Sequence, residues 1–199
     1  MGLLGYRTRC GLAAATAMLL GLTACSAEEK AEKTTAQSED ASGKTLATVI
    51  AADGDLSTVD GALSDAGLSQ VFDGAAAYTF LAPTDAAFAK LADAGADLRT
   101  PEQRPAMVAV LRDHIVPGYL TPADIQNAIK LSDDKSVEMK TMGDHTLTFT
   151  GSGDAITVTS EDGATARFAG DALRASNGVA IPIDGLLKAT SAPAQASAQ

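Results

Sequence analysis

Residues 78–91, YTFLAPTDAAFAKL, constrain the fold more than any other part of the chain, because they carry three structural instructions in succession. Tyr78, Thr79, Phe80, Leu81 and Ala82 form an aromatic and aliphatic run of strand length. Pro83 then ends it, since proline supplies no N–H to a sheet ladder. Thr84 suits a helix N-cap, and Asp85 places negative charge at the positive end of the helix dipole. Ala87, Phe88 and Leu91 follow at helical spacing. A segment with apolar groups on both a strand and the next helix must pass through a core, so Phe80 and Phe88 are expected inside and Thr84 and Asp85 are expected as local caps. Threonine and aspartate here resemble catalytic types only in isolation.

What lies around this stretch divides into unlike parts. Residues 1–24 place Arg7 and Arg9 before an apolar run that is shorter than the roughly 20 residues a bilayer span needs, the pattern of a secretory leader. Leu22-Thr23-Ala24-Cys25 resembles the lipobox of bacterial lipoproteins, in which the cysteine thiol takes a diacylglyceryl group and becomes the new N-terminus, with acyl chains such as palmitate. Cysteine usage agrees. Cys10 leaves with the leader, so Cys25 has no partner for a disulfide and would be a liability uncapped. Residues 25–43 contain no aliphatic side chain larger than alanine beyond the cysteine, and therefore read as a polar tether. Residues 190–199 read as a similar tail, which leaves 44–189 as a single domain.

Charge narrows the partners. The chain carries 15 basic and 25 acidic residues, and without Arg7 and Arg9 the balance is about −12, which repels nucleic acid and anionic membranes at long range. Aromatics are 4% of the residues and tryptophan is absent, so the core must be built from aliphatic side chains and large aromatic ligand cages are not expected.

Within the domain, apolar spacing predicts short helices over 45–52 and 56–68, another turn over 68–72, a helix over 101–115 with Met107, Val108, Leu111 and Ile115 on one face, and a Thr121-capped turn to about residue 128. After Lys130 the period changes to two, predicting strands over 136–142, 145–150, 155–159, 164–169 and 171–175 as antiparallel neighbours. Asn177-Gly178 is the strongest hairpin signal, for a type I′ turn. Val179, Ile181 and Ile183 then alternate with Ala180, Pro182 and Asp184, which predicts a last strand with one core face and, at Pro182, no ladder partner on part of one side.

Three of these stretches, in this order, resemble the fasciclin (FAS1) domain family: YTFLAPTDAAFAKL, the central VLRDHIVPGYLT at 110–121, and ASNGVAIPIDGLL at 175–187. Phe80, Pro83, Thr84, Asp85, Phe88, Asn177, Gly178 and Asp184 carry the signature. The resemblance implies an α+β fold, a FAS1-like antiparallel sheet or wedge with several short packed helices. It also implies adhesion: non-covalent binding of an envelope or extracellular protein or polysaccharide, with homotypic association among the options, and contacts on the central segment at Asp113, His114, Pro117 and Tyr119. Asp113 departs from the aromatic residue usual before the central histidine, and Ala180 and Pro182 depart from the usual final strand.

The residues offer little chemistry. His114 reads as a core histidine bonded to backbone, His145 as an exposed polar residue at a hairpin turn, and the i, i+1 spacing makes Asp113 a poor orienter of His114. There is no Gly-x-Ser-x-Gly elbow, phosphate loop, HExxH or paired-cysteine motif, so an enzyme, a cofactor and a metal are not expected. A hydrophobic-ligand module using a cleft between helices and sheet is the alternative function. The expected location is the cell membrane or outer membrane, lipid-anchored, facing the periplasm or the cell surface.

Overall fold

The computed structural model describes residues 43–90, 100–153 and 155–188. The leader, Cys25, the tether up to residue 42, Leu91, and the tail lie outside the described residues.

Three short helices open the domain. In α1 (Leu46–Ala51), Thr45 caps the first turn by accepting from the Thr48 N–H at 3.3 Å, and Leu46 and Ile50 are buried one turn apart. A 3-10 turn, Gly54–Leu56, leads into α2 (Ser57–Asp65), which buries Val59, Ala62 and Leu63. Leu56 at the α2 N-cap has no side chain able to accept a bond. Asp85 does that work from 28 positions away, accepting from Ser57 Oγ at 2.6 Å and the Thr58 N–H at 2.8 Å. The expectation of a purely local cap at Asp85 is thus corrected. Burial works to raise its pKa, and the hydrogen bonds outweigh that and hold the carboxyl below its usual range. In α3 (Ser69–Asp73) Phe72 is buried and packs on Phe80, with ring centroids 5.2 Å apart.

Strand β1 (Tyr78–Pro83) is buried along nearly its whole length, and Thr84 caps α4 (Asp85–Ala89) by accepting from the Ala87 N–H at 3.2 Å. Ala87 is the buried residue of α4, while Phe88 is only half-buried between two apolar clusters, a correction to its expected place in the core. The helix expected over 101–115 is shorter. Pro101–Gln103 is a 3-10 turn, α5 is Arg104–Asp113, and Ile115 already belongs to β2 (Ile115–Pro117), because Ile115 and Val116 pair with Phe80 and Thr79 of β1. Val110 rather than Val108 joins Met107 and Leu111 inside. Thr121 and Asp124 form a reciprocal capping box on α6 (Pro122–Leu131), which runs past the expected end.

The strands form two sheets. Strands β3 (Ser136–Lys140), β4 (Thr146–Ser152), β5 (Ala155–Ser160) and β6 (Thr165–Arg167) make an antiparallel sheet in sequence order, as period two predicts. Strand β7 (Leu173–Ala175), expected in the same set, instead pairs with β8 (Gly178–Ile183) in a second sheet of order β2-β1-β8-β7. There β1 and β8 are parallel, in register from Tyr78 against Gly178 to Pro83 against Ile183. The fold is therefore α+β with antiparallel-rich sheets.

Strand β8 is buried at every position, not on one face. Phe80, Ala82 and Ala180 face a core shared with α1, α2, α3 and α5, whereas Leu81, Val179, Ile181 and Ile183 face a second core shared with α6 and the four-stranded sheet. A strand covered on both sides loses polar alternation, which explains the run Val179-Ala180-Ile181-Pro182-Ile183. Pro182 lies past the end of the β7 ladder, and on that side Phe168 and Ala169 take over: the Pro182 carbonyl accepts the Ala169 N–H at 2.8 Å and Ile183 bridges Phe168, so the edge expected to lack a partner is paired except for the N–H that proline cannot supply.

Asn177-Gly178 is not a type I′ turn. Ala175 pairs with Gly178, so Ser176-Asn177 forms the loop, and neither Asn177 nor Gly178 has positive φ. Each serves long-range packing instead. Asn177 Oδ1 accepts from the Leu46 N–H at 2.8 Å, and its Nδ2 donates to the carbonyls of Phe72 at 2.6 Å and Gly74 at 2.7 Å. A Cβ on Gly178 would lie 2.3 Å from the Tyr78 carbonyl oxygen, so only glycine lets β8 approach β1 there. Asn177→Ala should therefore cost about 3 kcal/mol through unpaired buried backbone groups, and Gly178→Ala about 3 kcal/mol or more through overpacking. Urea denaturation of both variants checks this; an effect within about 0.5 kcal/mol at either position contradicts the assigned roles.

Candidate functional site

The end of α5 directs two neighbouring polar side chains to different places, since successive helical residues diverge by about 100°. His114 is fully buried at the helix C-cap. Its Nδ1 lies 2.8 Å from the Val110 carbonyl, so Nδ1 carries the hydrogen, and Nε2 accepts from the Leu187 N–H at 3.0 Å. One neutral imidazole thus serves a carbonyl of the last helical turn and an amide of the segment after β8. This takes His114 out of reach of any partner of the folded domain and corrects its expected place on an interaction surface. Burial pushes its pKa down to about 4, partly offset by the Val110 hydrogen bond and the Asp113 charge.

Asp113, its side chain 4% exposed, points to the β3–β4 connection, where His145 Nδ1 meets its Oδ1 at 2.6 Å. The connection is shaped for this approach. Gly143 lies so close that a Cβ there would come within 1.9 Å of Asp113 Oδ1. Asp144 adopts a left-handed φ of 65°, and Thr141, nearly buried, donates its N–H to the His145 carbonyl at 2.8 Å and accepts the Gly143 N–H on its Oγ1 at 3.2 Å. His145 is therefore half-exposed but held by a carboxylate, and not a free polar residue at a turn.

Around this pair lies an open cleft of about 260 Å³, lined by Asp113, His145, Leu147, Ser160, Glu161, Asp162, Leu187 and Lys188. Lys188 Nζ stands 3.8 Å from Asp113 Oδ2 and 3.8 Å from Asp162 Oδ2. Ser160 Oγ donates to Asp162 Oδ1, so the hydroxyl in the cleft is committed to a carboxylate and is not presented to His145 as a nucleophile. Glu161 is held below the usual carboxylate range, chiefly by its hydrogen bond with the Thr146 side chain, against a small opposing effect of burial. With three carboxylates against one lysine, the lining is acidic.

The remaining residues singled out in the sequence are dispersed. Pro117 is exposed at the end of β2 and Tyr119, 39% exposed, follows two residues later, so these two share a surface while Asp113 lines the cleft. Phe80 and Pro83 are buried in β1. Asp184 accepts the Arg167 N–H on Oδ1 at 2.7 Å and fastens the exit of β8 to β6. Cys25 lies outside the described residues. Sequence reasoning missed the cleft lining at Glu161, Asp162 and Lys188, and missed the partner of His145. No local pattern joins positions 113, 145, 162 and 188.

In comparisons with known proteins, residues 54–189 match the model of the fasciclin domain. The protein sll1483 of the cyanobacterium Synechocystis sp. is 35% identical over 119 residues, covering 57% of this chain and 66% of that protein. The solved FAS1 domain pair from the insect cell adhesion molecule Fasciclin I aligns with a TM-score of 0.64 at 16% identity, over 73% of this chain and 51% of the other, a likeness of fold. The chain thus spans just under two thirds of the length of sll1483 and about half of that of the insect domain pair.

His114 also sets a pH dependence. The unfolded ring titrates near about 6.5, while the folded ring does so at about 4. Between these values the unfolded chain binds a proton that the folded chain does not, so stability falls as pH drops from about 6.5 to about 4, by on the order of 3 kcal/mol, and this contribution is flat below. Asp85 and Asp124, both held below their usual range, lose their contributions at lower pH still. His114→Gln should cost about 2 kcal/mol at pH 7 through the lost hydrogen bonds and flatten the slope in that window. Urea midpoints of both chains against pH check this; an unchanged slope in the variant contradicts it.

Proposed function

This chain belongs to the fasciclin domain family, and from that premise we propose that it is a lipid-anchored cell-envelope protein whose domain mediates adhesion by non-covalent binding of an envelope or extracellular protein or polysaccharide. The observation that carries the reading is the family match over residues 54–189, and the sequence Leu22-Thr23-Ala24-Cys25 upstream of it, read as the end of a leader, supports the anchor. Fasciclin domains serve generally in adhesion and protein interaction, and the solved relative comes from a cell adhesion molecule. Cys25 would carry the lipid, and residues 26–43, rich in charge and alanine, would hold the domain off the membrane while letting it sample nearby surfaces. Two buried cores on either side of β1 and β8 support a rigid binding body, with Pro117 and Tyr119 exposed at one edge. No reaction is proposed. A hydrophobic-ligand module is disfavoured by the charged lining of the described cleft, whose leucines Leu147 and Leu187 are themselves buried.

The test is made in cells. The wild-type chain should partition with membranes, and Cys25→Ser should release it. A strain lacking the protein should lose attachment to surfaces or to other cells, regained with the wild-type chain and not with Cys25→Ser. Unchanged partitioning of Cys25→Ser refutes the anchor, and unchanged attachment after deletion refutes adhesion.

A further inference from the structure

The Asp113 carboxylate is almost wholly buried, yet the hydrogen bond it takes is the one from His145 to Oδ1. Its Oδ2 has the Lys188 ammonium nearby at 3.8 Å, beyond hydrogen-bond length. A buried ionised carboxylate is costly unless its oxygens are met by donors. Here the histidine closes Oδ1 and Gly143 packs against the same side, so Oδ2 faces Lys188 and the cleft. The Lys188 ammonium is equally far, 3.8 Å, from Asp162 Oδ2. A single ammonium therefore lies between two carboxylates at hydrogen-bond length to neither.

We infer that this cleft receives an arginine side chain of a partner protein, its guanidinium bridging Asp113 Oδ2 and Asp162 while Lys188 turns out to solvent. Size, charge and shape argue for this occupant. A cavity of about 260 Å³ admits one side chain and is small for a drug-sized ligand. The three carboxylates exclude anions. A divalent cation needs several oxygens at about 2.3–2.6 Å, and among the described residues no group of three or more acidic, histidine or cysteine side chains is arranged to hold one. A guanidinium carries donors at opposite ends of a rigid plane and reaches two carboxylates that a compact ammonium cannot bond together. The segment carrying Lys188 is fixed in place by the Leu187 N–H bond to His114, so moving the lysine side chain does not require moving its backbone.

The inference rests on the domain being a binding module, and it deepens that reading by giving one partner contact its chemistry. Its test is separate from the attachment assay. The full chain, purified in detergent, has two histidines, so the ring signals of His145 and His114 in nuclear magnetic resonance spectra report the cleft and the buried core respectively. Acetyl-arginine-amide should shift the His145 signals saturably, at millimolar concentration, and leave those of His114 in place, while the isosteric uncharged acetyl-citrulline-amide should not. Asp113→Asn should weaken the response about tenfold, with His114 ring signals that stay distinct from those of the urea-unfolded chain showing that the variant is folded. Asp162→Asn should weaken it about fivefold, and Lys188→Gln, by vacating the resident charge, should strengthen it about threefold. The inference is overturned by any of three results: no saturable shift with acetyl-arginine-amide, an equal shift with acetyl-citrulline-amide, or a response that persists undiminished in Asp162→Asn. A saturable shift with calcium chloride and none with acetyl-arginine-amide would overturn it in favour of a metal. Loss of attachment in the deletion strain together with a silent titration would leave adhesion standing and remove this contact from it.

Discussion

Tyr78–Pro83 and Gly178–Ile183 lie side by side in parallel, each residue opposite one a hundred positions away. Every other layer of the domain is arranged on this pair. One face of it completes the core under α1, α2, α3 and α5, and the other completes the core under the four-stranded sheet and α6. Neither core can close until both strands have met, and a contact of such sequence separation pays its loop-closure entropy before any burial rewards it. Asn177 and Gly178 act where that cost is greatest. The amide of Asn177 bonds to α1 and to the carbonyls at the end of α3, and the bare Cα of Gly178 lets the two backbones come together.

The same arrangement places the cleft. Strand β2 pairs with β1 immediately after α5 ends, and the Met142 N–H donates to the Ile115 carbonyl at 2.8 Å, joining the β3–β4 connection to the first sheet. After β8 the chain returns past α5, where Leu187 bonds to His114. Asp113, His145 and Lys188 thus come from three elements that meet where the two sheets join. The adjacent residues Asp113 and His114 have opposite fates there. The histidine has both ring nitrogens satisfied inside the core and serves the fold. The aspartate takes its hydrogen bond from His145 and turns its other oxygen to Lys188 at the cleft.

Local chemistry is legible in the sequence wherever it decides the outcome. Thr84 and Thr121 cap the helices their positions predict, and the period-two run after Lys130 forms the antiparallel sheet. The misreadings share a physical cause, a partner far away in sequence. Asp85 reads as a cap for its own helix and also caps α2, because Leu56 cannot. Asn177-Gly178 has the composition of a tight turn, but tertiary contacts to α1, α3 and β1 claim both residues. Strand β8 reads as one-sided because alanine and proline are weak hydrophobic signals, and the helices that cover them lie far earlier in the chain. The pairing of Asp113 with His145 is invisible to any periodicity, since it depends on how a helix end and a hairpin turn from another sheet come together.

Native-state hydrogen exchange tests the central place of the β1–β8 pair most directly. The hydrogen-bonded amides of β1 and β8 should exchange only through global unfolding, with a protection free energy equal to the stability from urea denaturation, while those at the β5–β6 edge open at lower free energy. Opening of β1 and β8 well below the global value, with the four-stranded sheet still protected, would contradict the dependence of both cores on this pair.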